Sequence, residues 1–475
     1  MATTREQADA YAYENLRRST GLLRGAEEAV LDPRRRLNRA LAGGTAFAIL
    51  LMAGFGIAGW LGGGRGPGLP SAGAVVVGTD GNSYVVSDGT VHPALNLSSA
   101  LLVGGGELTK VRQATLDGAP RGLPVGIPGA PDALPEPDRL LDGAWTLCAT
   151  PAETGGRPTE TVLYVSVPGV APPAGEAGST VLVRADDGGL WLLTEGRRYA
   201  VTETVRGLLG LQGVRPVELP REVVATVPEG PEITVPRPSG AGEVPRVRLP
   251  FDAVVGDLAH SGAAGANPRY YLVRPDGLVA ISPLVYALLE ATAGADHELD
   301  GTRAATAPRS GEPAPGDEAW PDALPAAQEP GRDQPVCVST PPGSRPGDAP
   351  WAATVHLPDR MPEPAGLTPV RSADGDRLGT LDAVWVPAGS GAVVLATASG
   401  GTGGTYTLIT DAGVAFPFTS AEAVQRLRYA PGDAPSMPRA FVDLLPAGPL
   451  LDPEAAAREQ HVPAAAGEDE EEVAP

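Results

Sequence analysis

Lys110 is the one lysine in the chain, and it follows the run Gly104-Gly105-Gly106-Glu107-Leu108-Thr109. A phosphate-cradling loop needs a glycine directly before its lysine, because backbone N–H groups must close on the phosphates. Thr109 stands there instead, so the run reads as a Gly-rich turn leaving a helix. No Gly-x-Ser-x-Gly elbow occurs, which removes the exposed serine that such a turn presents. Asp80-x-Asn82 starts like a calcium loop, but the later ligand spacing is missing and a hairpin turn accounts for it. His92 stands before Pro93 at a helix entry, a place for a structural ring rather than a catalytic base. Asp186-Asp187 sit in a turn. Two cysteines and five scattered histidines do not make a metal site. The chain does not read as an enzyme, and no cofactor is expected.

The cysteines point to architecture instead. Cys148 and Cys337 lie in corresponding strand-rich pieces of two related halves. They read as one disulfide joining the halves, with two buried free thiols as the alternative. The halves emerge from a repeated grammar of strand, turn, strand and capped helix. It covers Ala74–Val103 around Asp80-Gly81-Asn82, and Thr180–Gly213 around Asp186-Asp187-Gly188-Gly189. It returns at Arg269–Gly294 around Pro275-Asp276-Gly277, where Ser282 caps, Pro283 opens and Gly294 stops the helix. The fourth copy is Ala392–Tyr429, with Thr419-x-x-Glu422 as its capping box. Beyond the helices, Pro220-Arg221, Val224, Pro228 and Gly230-Pro231 match Pro438-Arg439, Val442, Pro446 and Gly448-Pro449 at one constant offset. Such a duplication packs naturally with pseudo-two-fold symmetry.

Ala40 to Leu61 runs without a charge, about 33 Å of helix, enough to span the hydrocarbon core of a bilayer. Arg34, Arg35, Arg36 and Arg39 precede it, Trp60 marks its far end, and Arg65 follows alone. The positive-inside rule then puts the N-terminus in the cytoplasm and the rest outside. A signal peptide cleaved at Ala72-Gly73-Ala74 and a buried core helix are the rival readings. Before the span, Thr4-x-x-Gln7 opens a helix toward Leu23. Tyr13, Leu16 and Leu23, with Tyr11 nearby, are placed on one face. This arm is either a solvated juxtamembrane helix or a docking helix for a cytoplasmic partner.

Composition agrees with an exterior domain of short elements. There are 62 glycines and 51 prolines, and the net charge is −21 from 36 basic and 57 acidic residues. So acidic a chain is a poor nucleic-acid binder, because phosphate contacts need cations. The layout is α+β: arm 1–39, transmembrane helix 40–61, linker 62–73, first repeat 74–105, then a central β-rich domain in pieces 106–177, 232–266 and 334–390. The second, third and fourth repeats take 178–231, 267–294 and 391–452. Residues 295–333 read as a disordered insertion and 453–475, with Glu468-Asp469-Glu470-Glu471-Glu472, as a disordered acidic tail.

Several of these features together resemble the EccB family, a core membrane component of type VII (ESX) secretion systems. The resemblance covers residues 2 to about 452. It rests on Thr3-Thr4-Arg5-x-Gln7 with Tyr11 and Arg18, on Asp32-Pro33 and the arginine cluster, on His92-Pro93-Ala94-Leu95-Asn96-Leu97-Ser98-Ser99-Ala100, and on the Pro and Gly-Pro residues that end the repeats. The two cysteines fit the family's disulfide. The resemblance implies a single-pass subunit of a complex with the EccC ATPase, EccD and EccE, docked through an arm that here would use Arg5, Gln7, Tyr11 and Arg18. It implies an elongated exterior domain of four repeats around a central β-rich domain, self-association, and a channel for small helical effector proteins. The family also carries an ATPase attribution, so ATP is the cofactor that the resemblance would add to a sequence without a nucleotide motif. A cell-wall-binding anchored module and an exterior hydrolase are the competing readings.

Overall fold

The computed structural model describes residues 4–24, 33–62, 75–78, 81–105, 108–151, 160–173, 178–262, 268–316, 320–341, 351–372, 377–398 and 403–460. Thr3, Asp32, Arg65, Ala72-Gly73-Ala74, Asp80 and the Glu468–Glu472 block lie outside the described residues, as do the side chains of Leu23, Arg34, Arg35, Arg36, Trp60 and Leu61. The chain divides into two compact units, Met1–Leu69 and Pro70–Pro475.

The first unit holds two helices, Thr4–Arg24 and Pro33–Gly62. The second starts seven residues before the uncharged run, so the arginine cluster lies on the same helix as the span. Thr4, read as a cap, is already helical.

The larger unit contains four sheets of four strands, all with one connectivity: third, second, first, fourth. The strands are Val75–Val77, Ser83–Ser87, Thr90–Pro93 and Leu108–Lys110 in the first sheet. The second has Val181–Ala185, Leu190–Thr194, Arg197–Ala200 and Val217–Leu219. The third has Leu258–Ser261, Arg269–Arg274, Gly277–Ile281 and Asp296–Leu299, and the fourth Ala392–Thr397, Gly404–Ile409, Ala415–Pro417 and Ser436–Pro438. Each first strand pairs antiparallel with the second and parallel with the fourth. A parallel return needs a crossover, and a helix supplies it each time: Leu97–Gly104, Glu203–Leu208, Pro283–Glu290 and Ala421–Arg426. Asn96, Thr202, Ser282 and Ser420 cap these helices by accepting the N–H three residues on. The fourth cap is therefore Ser420, one residue past Thr419, whose own N–H donates to Leu451 O.

Each sheet is closed in one way. After the fourth strand comes a short helix, Gln113–Asp117, Arg221–Ala225, Gly301–Thr306 or Arg439–Val442. The chain then returns alongside the third strand. The carbonyls of Pro120, Pro228, Pro308 and Pro446 accept from Val91, Arg198, Leu278 and Ala415 at 2.8–2.9 Å. The N–H groups of Gly122, Gly230, Ser310 and Gly448 donate back to those four residues. At Gly122, Gly230 and Gly448 a Cβ would overlap the ring of His92, Tyr199 or Phe416. The third sheet has Val279 where the others carry a ring, and there a serine is accommodated.

A fifth, central sheet orders Thr354–His356, Val336–Ser339, Trp145–Ala149, Thr161–Val165 and Ala383–Trp385. Its strands come from both halves of the sequence. One apolar core joins the central sheet to the second and fourth sheets through Leu147, Leu163, Val183, Val224, Val394 and Phe441. A second core is shared by the first and fourth sheets, and a third by the second and third.

Three boundaries differ from the sequence reading. Arg269–Arg274 and Gly277–Ile281, read as the opening strands of the third repeat, are its second and third. The first is Leu258–Ser261, inside the piece assigned to the central domain. The supposed insertion 295–333 supplies the fourth strand and a helix capped by Asp300, and Leu299, Ala304 and Ala307 are buried. Ala304 and Ala307 are small enough to pack with Leu299 in a minor core. The first part of the supposed tail, 453–460, is folded: Pro453–Ala456 is helical, Ala456 is buried, and Gln460 bonds to Pro124 O and Gly126 O; residues 461–475 lie outside the described residues.

Candidate functional site

In the arm helix Arg5, Gln7, Tyr11 and Arg18 are all exposed. At about 3.6 residues per turn, Gln7, Tyr11 and Arg18 share one face, four and seven residues apart, and Leu22 continues it. Arg5 falls on a different face, toward Leu16. Tyr11 is thus not beside Tyr13 and Leu16 but on the far side from Leu16. Tyr11 is 70% exposed and Leu22 89%, which leaves an aromatic and an aliphatic group in solvent next to Arg18. Arg18 pairs with Glu14 at 3.4 Å across one turn, a contact worth little in open solvent.

The second helix is long and apolar enough to cross a membrane over Asn38–Phe55. Phe47, Ile49, Leu50, Met52 and Phe55 are exposed, and an unburied apolar helix of this length finds its low-energy surroundings in lipid. Thr45 hides its hydroxyl by donating to Leu41 O at 2.7 Å, which satisfies the one polar side chain between Ala40 and Phe55.

Cys148 and Cys337 are opposite each other on neighbouring antiparallel strands and form a disulfide. Both are fully buried. The bond closes a loop with a sequence separation of 189 and ties the first half's strand Trp145–Ala149 to the second half's Val336–Ser339. Beside it, Tyr164 stacks on Trp385 at 6.0 Å and donates its hydroxyl to Pro362 O at 2.7 Å. Burial pushes the Tyr164 phenol up, away from ionisation. The central sheet is therefore covered on both faces, Leu147 and Leu163 on one and Cys148 and Tyr164 on the other.

The other motifs serve the fold. Gly105 is the left-handed C-cap of Leu97–Gly104, bonding to Leu101 O, and Lys110 ends a strand. The order is helix, turn, strand, the reverse of a phosphate-binding loop. His92 lies in the third strand with Nδ1 3.0 Å from Leu123 O. The rest of its motif is a buried polar knot. Asn96 accepts from Ser99 N and from the Ser98 hydroxyl and donates to Ile127 O, while Ile127 N donates to Ser99 Oγ. Sequence reasoning missed this knot and the closing strands. The constant offset of Pro228, Gly230, Pro446 and Gly448 was the signal for the latter. Among the described residues no group of three or more His, Cys, Asp or Glu is placed to hold a metal.

A family model described as "Type VII secretion system ESX-1, transport TM domain B" matches residues 1–464. Among curated proteins, the ESX-3 secretion system ATPase EccB3 of Mycolicibacterium smegmatis is 30% identical over 309 residues, 61% of this chain and 57% of that protein. The ESX-2 secretion system ATPase EccB2 of Mycobacterium tuberculosis is 34% identical over 223 residues, 44% of this chain and 43% of that one. The match thus spans about half the length of these relatives. Among solved structures, a chain of an intact ESX-5 inner membrane complex shares the fold with a TM-score of 0.64 at 24% identity, over 97% of this chain and 96% of that one. An EccB3 dimer from an ESX-3 core complex gives 0.64 at 26% identity, over 81% of this chain and all of that one. With the family model matched along nearly its whole length, this chain belongs to the EccB family of type VII secretion membrane components.

Proposed function

We propose that this chain is a structural subunit of a type VII secretion membrane complex. It would hold together a channel that exports small helical effector proteins. The observation that carries this reading is the joining of an unburied, membrane-length helix to a domain whose two halves are stapled through a buried disulfide. Such a part bears load and holds position, and it needs no cofactor. The arm and the arginine cluster lie on the cytoplasmic side, and the disulfide-bearing domain lies outside, where thiols oxidise. The face with Gln7, Tyr11 and Arg18 docks on EccC-like, EccD and EccE subunits.

The exterior domain reads as four repeats from an internal duplication, arranged with pseudo-two-fold symmetry along an elongated body. Two features support this. The four sheets share one connectivity. Cores are also shared between first and fourth and between second and third, the pairing that a two-fold exchange of halves requires. Self-association through this domain accords with the dimer seen for the EccB3 relative.

The test is a detergent pull-down of the tagged full-length protein from its native membrane, read by mass spectrometry. Recovery of an EccC-like ATPase and an EccD-like multispan protein in one large complex supports the reading. Recovery alone, or with wall material only, overturns it in favour of an envelope-binding module.

A further inference from the structure

The first sheet has an open edge. Its fourth strand, Leu108–Lys110, is outermost, and among the described residues no strand lies beyond it. Leu108 is 38% exposed. Lys110 and Arg112 are exposed, and their side chains carry no hydrogen bond or ion pair among the described residues. By contrast, Arg121 pairs with Asp117 at 2.9 Å, and Arg426 pairs with Glu422 and donates to Leu102 O. A bare strand edge invites pairing with a foreign chain, and natural proteins cover or charge it.

The chain's last described residues leave from the opposite edge of the same sheet. One row of neighbours crosses it. Lys110 faces Val77, and Val77 faces Ser83. Ser83 O accepts the Ala94 N–H at 2.9 Å. Ala94 bridges to Val125, and Val125 to Glu459. Five interstrand steps of about 4.8 Å put Lys110 about 24 Å from Glu459. Glu468 is nine residues past Glu459, and nine extended residues span about 30 Å. Glu472 is thirteen residues past it, or about 43 Å. Both lengths exceed the crossing, so the acidic block reaches the far edge even by a path around the packed faces.

We infer that the acidic block 468–472 docks in cis on Lys110 and Arg112, as a strap at the open edge of the first sheet. Glu468-Asp469-Glu470-Glu471-Glu472 is a run of five carboxylates that repel one another, and two unpaired cations relieve that repulsion. Exposed ion pairs are weak one by one. A short tether, however, holds the block near the edge at an effective concentration on the order of millimolar, so the pairs act together. A docked block would keep a second chain from adding to Leu108–Lys110. This inference does not depend on the secretion reading, because its test uses the isolated full-length chain.

The experiment is zero-length cross-linking. Lys110 is the one lysine in the chain, so a carbodiimide, which joins an amine to a carboxylate touching it, reports on that position without ambiguity. The N-terminal amine, in the other compact unit, is the internal reference. Full-length protein in detergent is treated at low salt, cleaved after arginine and read by mass spectrometry. Lys110 should be joined to the peptide 459–475 at about five times the yield of the N-terminal amine. In 1 M salt, where the screening length is about 3 Å, that yield should fall about tenfold. Arg112→Glu keeps the amine and should lower the yield about fivefold, with the fold intact by circular dichroism. In a mixture with isotopically labelled copies, each joined pair should carry one isotope. Absence of the Lys110 product overturns the proposal, as does a yield indifferent to salt and to Arg112→Glu. Joined pairs of mixed isotope overturn docking in cis.

Discussion

Replacing Gly448 with alanine should change the sign of its effect according to the residue at 416. The Cβ built at Gly448 overlaps the Phe416 ring, which is 6% exposed and packed in the core of the first and fourth sheets. Overpacking of this kind costs about 1–3 kcal/mol. Against it stands the lost freedom of the unfolded chain, which favours alanine by about 0.4–1 kcal/mol wherever the backbone allows it. Gly448 does not adopt a left-handed conformation, so the gain applies. Gly448→Ala alone should then destabilise by up to roughly 2.6 kcal/mol, the difference of the two. In a Phe416→Val background the overlap is gone, and the same change should be neutral or stabilising by up to about 1 kcal/mol. The third sheet already carries this combination as Val279 and Ser310. The assay is a double-mutant cycle in urea unfolding of the full-length protein. An effect of Gly448→Ala with the same sign and size in both backgrounds would refute the steric account of the closing glycines.

Removing the disulfide by Cys148→Ala with Cys337→Ala should destabilise the larger unit by up to about 5 kcal/mol, the chain-entropy ceiling for a separation of 189 residues. Reductant should then lower the unfolding midpoint of the wild type and leave the variant unmoved. Asp276 is held below the usual carboxylate range by the Ser310 hydroxyl and then the Gly311 N–H. Its contribution to stability is present above the unfolded value near about 3.9 and is lost as pH falls through its lower folded value. Asp276→Asn should therefore flatten the acid limb of stability, and an identical pH profile for variant and wild type would remove Asp276 from the account. Tyr11→Ala with Arg18→Ala should reduce recovery of the EccC-like and EccD-like partners in the pull-down, while Arg5→Ala, on another face, should not. Equal loss in both would show that the helix face is not what docks.

The parts legible in the sequence are those in which one residue type dominates a window. Val75–Val77, the strands around Pro275-Asp276-Gly277, and the Ser282-Pro283 helix start all follow from β-branched runs, turn glycines and cap chemistry. The cysteine pair was legible because nothing else competed for it. The fourth strands, and the third strands other than Gly277–Ile281, were not, because they are three or four residues long and several break the pattern with Pro93, Pro417, Pro438 or the polar Asp296-His297-Glu298. The fourth strands pair with first strands that lie beyond a crossover helix, and no short window contains both. The Thr419 assignment failed by one residue because Thr419 and Ser420 are both good caps, and only the bond from Thr419 N–H to Leu451 O decides between them.

The mixed origin of the central sheet sets a clock on the birth of the protein. Trp145–Ala149 has its antiparallel neighbour at Val336–Ser339, and the intervening 189-residue separation must be synthesised before they meet. At about 5–20 residues per second that is roughly 10–40 s. During that interval Cys148 is a lone thiol on a strand with one neighbour missing. The first sheet waits longer still, since the core it shares with the fourth is completed only after Phe416, Leu451 and Ala456 arrive. Early segments of this chain must therefore be shielded from wrong pairing until Leu451 and Ala456, which complete the shared core, have been made.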